Sequence, residues 1–342
     1  MQSQALFSVL FVILATSSLA QESGHEAHRR QTAAEIFAPG TLSTGMFERD
    51  AALSPDGKSF FFTLRYTRGM AGIAYSQKVD GQWSEPRIAE FSGKYYDIEP
   101  VFHPDGKRLF FVSNRPVHDG ESSGDFDIWY VTRRADGWSD PAHLGKPVNQ
   151  EGNEFYPSFT NDGSIYFTAQ RDPTRGGEDL YMCEYQDGRF LPPTNLGDSI
   201  NTNKGEYNGF VSPDGSFIIY TSEGMGEGHG NEDLYIAFKT RKGHWRKAIN
   251  MGGQVNSTAF EYCPSLSADG KFLFFTSQRM APGIKDQPMN YQQLIKHHDQ
   301  PGNGNGDIYR IHTRVIDSLK NLVRANNLEH VQTLQTENQL YR

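Results

Sequence analysis

The sequence predicts an all-β chain folded as a single β-propeller of five four-stranded blades, and three observations predict it. A unit roughly 50 residues long repeats five times, a period typical of propeller blades. Each unit carries an Asp-Gly turn between two apolar runs, the arrangement of a β-hairpin in which Gly supplies the positive φ. The last unit lacks its outer strand, and a matching segment stands at the other end of the chain.

The turns are Asp56-Gly57, Asp105-Gly106, Asp162-Gly163, Asp214-Gly215 and Asp269-Gly270. Each is followed by a β-rich run: Phe60 to Phe62, Leu109 to Phe111, Ile165 to Phe167, Ile218 to Tyr220 and Leu273 to Phe275. A third strand follows, at Ile73-Ala74-Tyr75, Asp127-Ile128-Trp129, Asp179-Leu180-Tyr181, Asp233-Leu234-Tyr235 and Asp307-Ile308-Tyr309. A fourth opens at Trp83, Trp138, Phe190 and Trp245, usually with a Pro three residues on. Unit five has no such segment, but Phe37 to Leu42 repeats the Pro-to-Leu spacing of Pro141 to Leu144 and Pro193 to Leu196. This N-terminal segment is therefore expected to supply the outer strand of the last blade and close the ring without an exposed edge. Six blades is the alternative, and it would need about 50 more residues than the chain holds.

The ends differ from the repeat. Residues 1–20 hold an apolar run and finish in small residues, the pattern of a signal peptide, so a periplasmic or secreted protein is expected. Residues 21–35 read as a polar leader, 36–313 as the propeller and 314–342 as a C-terminal helical tail, with Val315, Leu319, Leu322 and Val323 at helical spacing. No run after the leader is long enough for a membrane span. A net charge of -8 argues against a nucleic-acid partner. Cys183 and Cys263 fall in different blades, too far apart for a disulfide, and are expected as buried thiols.

The units together read Glu-x-x-Pro, Asp-Gly, an aromatic run ending Ser-x-Arg, Asp-Ile-Tyr, then Trp-x-x-Pro-x-x-Leu-Gly, and over residues 36–313 they resemble the WD-repeat-like propeller units of TolB-like exported bacterial proteins. The resemblance implies a binding platform of the cell envelope. Five units stand here where the TolB-like propeller has six, and the first lacks the Asp before its third strand.

Alignment of the units exposes one acid eight positions before every turn Asp: Glu48, Asp97, Glu154, Glu206 and Glu261. Arginines recur at the end of the second strand as Arg65, Arg115, Arg171 and Arg279, with Glu223 in the fourth unit. All should lie on one face around the central channel, either as Arg-carboxylate pairs tying blade to blade or as a ring that holds a ligand. The connection from strand two to strand three is longest in unit five, Met280 to Gly306, and is expected to overhang the channel mouth with His297 and His298. Adjacent histidines without a spaced third ligand do not make a metal site. Gly226 to Asp233 and Asn303 to Asp307 are Gly-rich with oxygen ligands but lack calcium-loop spacing, so calcium is the single cofactor weighed and none is expected.

No nucleophile elbow, zinc-protease helix or phosphate loop is present in the sequence. The expectation is a non-catalytic binding or scaffold protein of the envelope, with a protein, peptide or glycan as partner. The alternative is a carbohydrate-active hydrolase or lyase using channel-mouth carboxylates. An enzyme would show an acid without an Arg partner and with a raised pKa in a pocket.

Overall fold

A computed structural model describes residues 33–118, 120, 122–171, 176–224, 229–284 and 288–325. The signal-peptide reading and most of the polar leader lie outside these residues, as does the tail beyond 325.

Among the described residues five four- or five-stranded antiparallel sheets, the blades, stand in a ring, with a small two-stranded hairpin, Tyr185–Gln186 with Arg189–Phe190, beside blade three. Their innermost strands are Phe47–Leu53, Asp97–Phe102, Glu154–Phe159, Glu206–Val211 and Glu261–Leu266. Second strands are Ser59–Thr67, Arg108–Ser113, Ile165–Ala169, Phe217–Ser222 and Phe272–Ser277, and third strands are Met70–Val79, Asp127–Arg134, Asp179–Cys183, Asp233–Phe238 and Asp307–His312. Short outer pieces such as Arg87–Ile88, Ala142–His143, Thr194–Asn195 and Ile249–Asn250 complete blades one to four.

The Asp-Gly motif is explained by its hydrogen bonds. The Asp56 carboxylate accepts the Ser54 hydroxyl at 2.6 Å and the Lys58 N–H at 3.0 Å, while Gly57 takes φ 69°. Thr160 and Asp162, Ser212 and Asp214, and Ser267 and Asp269 repeat the arrangement. Local bonds of this kind let a short polar side chain replace a strand partner at the tip of the hairpin. In blade two His103 stands in the hydroxyl position, and Arg108 donates to Asp105 at 2.8 Å.

The aromatic runs fill the spaces between blades. Phe60 and Phe274, from blades one and five, lie 5.6 Å apart with Phe37 at 5.0 Å from each; Phe61 meets Phe102 at 5.6 Å and Trp138 at 5.9 Å. Burying such rings contributes about 1.5–3 kcal/mol each, which is why the second strand of every blade carries a buried apolar run. A further repeat completes the sheets. Asn149, Asn201 and Asn256 each accept from the N–H and donate to the C=O of one third-strand residue, Ile128, Leu180 and Leu234, at 2.9–3.0 Å.

The N-terminal segment closes the ring, two residues earlier than the spacing indicates. Glu35–Ile36 pairs antiparallel with Asp307–His312, Phe37 N–H donates to Ile308 C=O at 2.8 Å, and Arg310 pairs with Glu35 at 2.6 Å. Pro39 has no N–H for a ladder and Ala38 sits at φ 45°, so Phe37 to Leu42 turns instead of extending. Phe37 and Leu42 are nonetheless buried in the seam between blades five and one.

At the other end the chain is helical from 314 to 325. Val315 and Ile316 are buried there, with Leu319 and Val323 against the core shared by blades four and five. Both cysteines are buried and unbridged.

Candidate functional site

The five repeated acids are all buried, none more than 2% exposed. Each ties the loop entering its blade to the innermost strand. Glu48 accepts from the Thr44 hydroxyl and N–H, Glu206 from the same groups of Thr202 at 2.7 Å each, and Glu261 from those of Ser257 at 2.6 and 2.7 Å. Asp97 accepts from Ser92 at 2.7 Å, and Glu154 from the Gln150 N–H at 3.3 Å. Arg115, Arg171 and Arg279 pair with Asp97, Glu154 and Glu261 at 2.7, 2.6 and 3.2 Å, each within its own blade, which corrects the expectation that such pairs tie blade to blade. Arg65 instead stacks on the Phe47 ring at 3.8 Å, and Glu223 stands exposed where the others carry Arg. Third-strand acids face these groups across the blade seams. Burial, with the Asp127 charge adding to it, pushes Glu154 up to about 7 against the pull of Arg171. Burial and the Glu48 charge likewise push Asp307 up to about 7.

One residue further into each innermost strand, the ladder shifts register in every blade. The residue two positions after each acid carries a positive φ: Asp50 at 64°, Glu99 at 58°, Tyr156 at 48°, Asn208 at 49° and Cys263 at 55°. None is Gly, and five such residues at equivalent places amount to backbone strain held in place by the ring. The bulge brings neighbouring side chains to the channel that simple alternation would hide.

Those side chains form one network. Arg49 donates to Asp50 at 2.8 Å and to Glu99 at 2.7 Å, and approaches the Cys263 sulfur at 3.3 Å. Glu99 also accepts from the Tyr156 N–H at 2.6 Å and from the Asn208 amide at 3.3 Å. Burial raises the Glu99 carboxyl to about 7, with the Arg49 charge opposing. Glu99 joins its own strand to strands of three other blades and floors the channel.

Above this floor opens a pocket of about 350 Å³ lined by aromatic rings, among them Phe47, Phe155, Tyr207, Phe260 and Tyr262, and by Glu178 and Glu232. These two acids hold equivalent places in blades three and four, immediately before Asp179 and Asp233. Their surroundings differ. Glu232 accepts a short hydrogen bond from the Tyr207 hydroxyl. Glu178 makes no ion pair among the described residues, and burial together with the charges of Glu223 and Glu232 raises its pKa. One acid is thus held toward its protonated form beside another fixed by a phenol donor, the division of roles that acid–base chemistry needs. Sequence reasoning missed both. The signal was the break in the repeat, since blades two and five carry Phe126 and Gly306 at that place.

The long connection of blade five does not overhang this pocket, and that expectation is corrected. None of its described residues lines the pocket. Its short helix, Tyr291–His298, is capped by Asn290 and ends on the blade-one loop, where Asn303 and Asn305 donate to Gly45 C=O at 3.0 and 3.1 Å. A side chain at Gly45 would meet the Asp299 backbone at 2.7 Å, so the close approach requires Gly. His297 and His298 lie on that helix, and His298 reaches Asp299 at 2.8 Å. Among the described residues no group of three or more His, Cys, Asp or Glu is placed to hold a metal ion. Part of Gly226 to Asp233, the other run weighed for calcium, lies outside the described residues.

Fold and site define a five-bladed β-propeller with a pocket of aromatic rings, the acids Glu99, Glu178 and Glu232 and the arginines Arg49 and Arg65. Among solved structures it is similar to TolB from Acinetobacter baumannii (14% identity, TM-score 0.43, 78% of this chain and 54% of that one). It is also similar to an alpha-L-arabinofuranosidase from Lactobacillus brevis (11%, 0.44, 79% and 91%) and a puromycin-hydrolyzing peptidase from Mycobacterium tuberculosis (13%, 0.38, 68% and 34%). The chain spans about half the length of that TolB. No family model and no curated protein matches the sequence. The expectation of a non-catalytic scaffold is corrected. The pocket holds Glu178, which makes no ion pair among the described residues and whose pKa burial raises, as a scaffold in which every charge is paired would not. No helix among the described residues is long and apolar enough to cross a membrane.

Proposed function

We propose that the protein is a carbohydrate-active hydrolase whose reaction takes place in the channel-mouth pocket. The observation that carries this reading is the pair Glu178 and Glu232, two carboxyl groups in one pocket with opposite surroundings. Glu178, whose pKa burial and the charges of Glu223 and Glu232 raise, serves as the acid and gives its proton to the oxygen of the leaving sugar as the glycosidic bond breaks. Glu232, positioned by the Tyr207 hydroxyl, takes the proton of the attacking water or itself attacks the anomeric carbon. The anomer released first distinguishes these two courses. Phe155 and Phe260 line the pocket with apolar rings suited to the C–H side of a sugar, and Arg49 with Glu99 keeps the floor rigid. The signal-peptide pattern read in residues 1–20 is the sequence feature that supports a substrate outside the cytoplasm.

The test is sugar release by the purified protein from a panel of aryl glycosides and plant and bacterial polysaccharides. Glu178→Gln and Glu232→Gln are each expected to lower kcat about 10²- to 10⁴-fold with the melting temperature unchanged. Activity should fall on the alkaline side as Glu178 loses its proton. Both variants turning over at the wild-type rate would refute the assignment.

A further inference from the structure

A second cavity adjoins the acidic pocket, and it is here that the long connection of blade five enters. It measures about 580 Å³ and is walled by Met280, Ala281 and Ile284 of that connection on one side and, on the other, by Asn231 of the second-to-third strand connection of blade four and Thr258 of the passage from blade four to blade five. Phe260 and Gln278 line both cavities. Sharing this wall, the two cavities lie side by side, the second at the cleft between blades four and five.

We infer that this cavity is an accessory subsite for a further unit of a neutral saccharide chain, so that the substrate is an oligo- or polysaccharide. The inference rests on the hydrolase reading for the direction of the chain, and on the cavity itself for the class of ligand. The wall offers uncharged side chains: an amide at Asn231, an amide at Gln278, a hydroxyl at Thr258, an aromatic face at Phe260 and alkyl groups at Met280 and Ile284. Amides and hydroxyls pair with sugar hydroxyls in either direction, and the ring and alkyl groups cover C–H faces. The single charge, Arg279, is already used: it donates to Glu261, Ser277 and Val255 C=O and stacks on the Tyr309 ring at 4.7 Å. It therefore does not call for an anionic ligand. An extended peptide is disfavoured because strand addition needs free backbone groups. Here Glu261 N–H donates to Glu232 C=O, Gln278 N–H to Phe260 C=O and Ala281 N–H to Gly302 C=O.

The length of the blade-five connection gains a reason. Its helix anchors on the blade-one loop at Gly45 and its first residues stand as a wall beside the cleft. A bare turn would leave that side open.

The experiment compares neutral trisaccharides (xylotriose, cellotriose and maltotriose) with the p-nitrophenyl monoglycosides of the same sugars. Wild-type protein is expected to favour one trisaccharide over its monoglycoside at least tenfold in kcat/KM. Thr258→Trp, which fills the cavity from its exposed rim, and Ile284→Ser, which removes apolar wall, should bring that ratio toward one mainly through KM, whereas Glu178→Gln loses turnover on both. A tenfold preference surviving in both wall variants overturns the subsite. If no saccharide is turned over at all, the hydrolase reading fails separately, and calorimetric binding of the trisaccharides decides the subsite alone. Binding weakened at least tenfold by both wall variants sustains it, and no binding to the wild type overturns it.

Discussion

Asp307 is a carboxyl group in a place that suits an amide better, and Asp307→Asn measures by how much. The side chain is 1% exposed, one oxygen accepts the Gly302 N–H at 2.8 Å, and the other has no partner among the described residues. Burial and the neighbouring Glu48 hold its pKa at about 7, against 3.8 for the free group. The folded chain therefore keeps a proton that the unfolded chain releases between those values. Stability from this group is present in full below the unfolded pKa and is lost as pH rises through the folded one, at about 1.4 kcal/mol per pH unit. The loss comes to about 4 kcal/mol by pH 8. Glu154 and Glu99 lean the same way. Asn cannot ionise, retains an acceptor for Gly302 and removes the charge facing Glu48. The variant should match the wild type near pH 4 and exceed it by up to about 4 kcal/mol at pH 8. Urea unfolding at pH 4, 6 and 8, with the slope checked for constancy, reads this directly. A difference between variant and wild type that does not change with pH would refute the reasoning.

Two further perturbations probe the frame. Arg171→Ala leaves the buried Glu154 without its cation and should destabilise by about 3 kcal/mol at pH 8 but by less at pH 5, where Glu154 already holds a proton; equal losses at both values would count against the pairing. Phe37→Ala empties the seam between Phe60 and Phe274 and should cost about 3–5 kcal/mol in chemical unfolding, so an unchanged midpoint would show that the ring does not depend on its N-terminal clasp.

The repeat made most of the architecture readable. Asp-Gly turns and aromatic runs act through local hydrogen bonds and burial, which obey the same rule in every blade. The repeated acids and Arg115, Arg171 and Arg279 were legible as partners for the same reason. The site was not, because it lies where the rule is broken. Strand alternation gives no hint that Glu99 and Asn208 turn into the channel, since the bulge at positive φ is a property of the closed ring and not of any one blade. Glu178 and Glu232 became visible only as departures from Phe126 and Gly306 at the same place in other blades. Composition showed the blade-five connection to be long, but Gly45, remote in sequence, decides where it rests.

The pairing of Glu35–Ile36 with Asp307–His312 has a kinetic meaning. Partners about 275 residues apart in sequence must meet before the last sheet is whole, and closing so large a loop is an entropic toll that nearer contacts do not face. Blades two to four can form in order from their own hairpins, whereas blade five waits for both ends of the chain. Until then the backbone of Ile308 to Arg310 is an open sheet edge, to which a second unfinished ring could add its own strand. The step that fixes the channel mouth, and with it the acidic pocket, is thus also the step most exposed to a wrong partner.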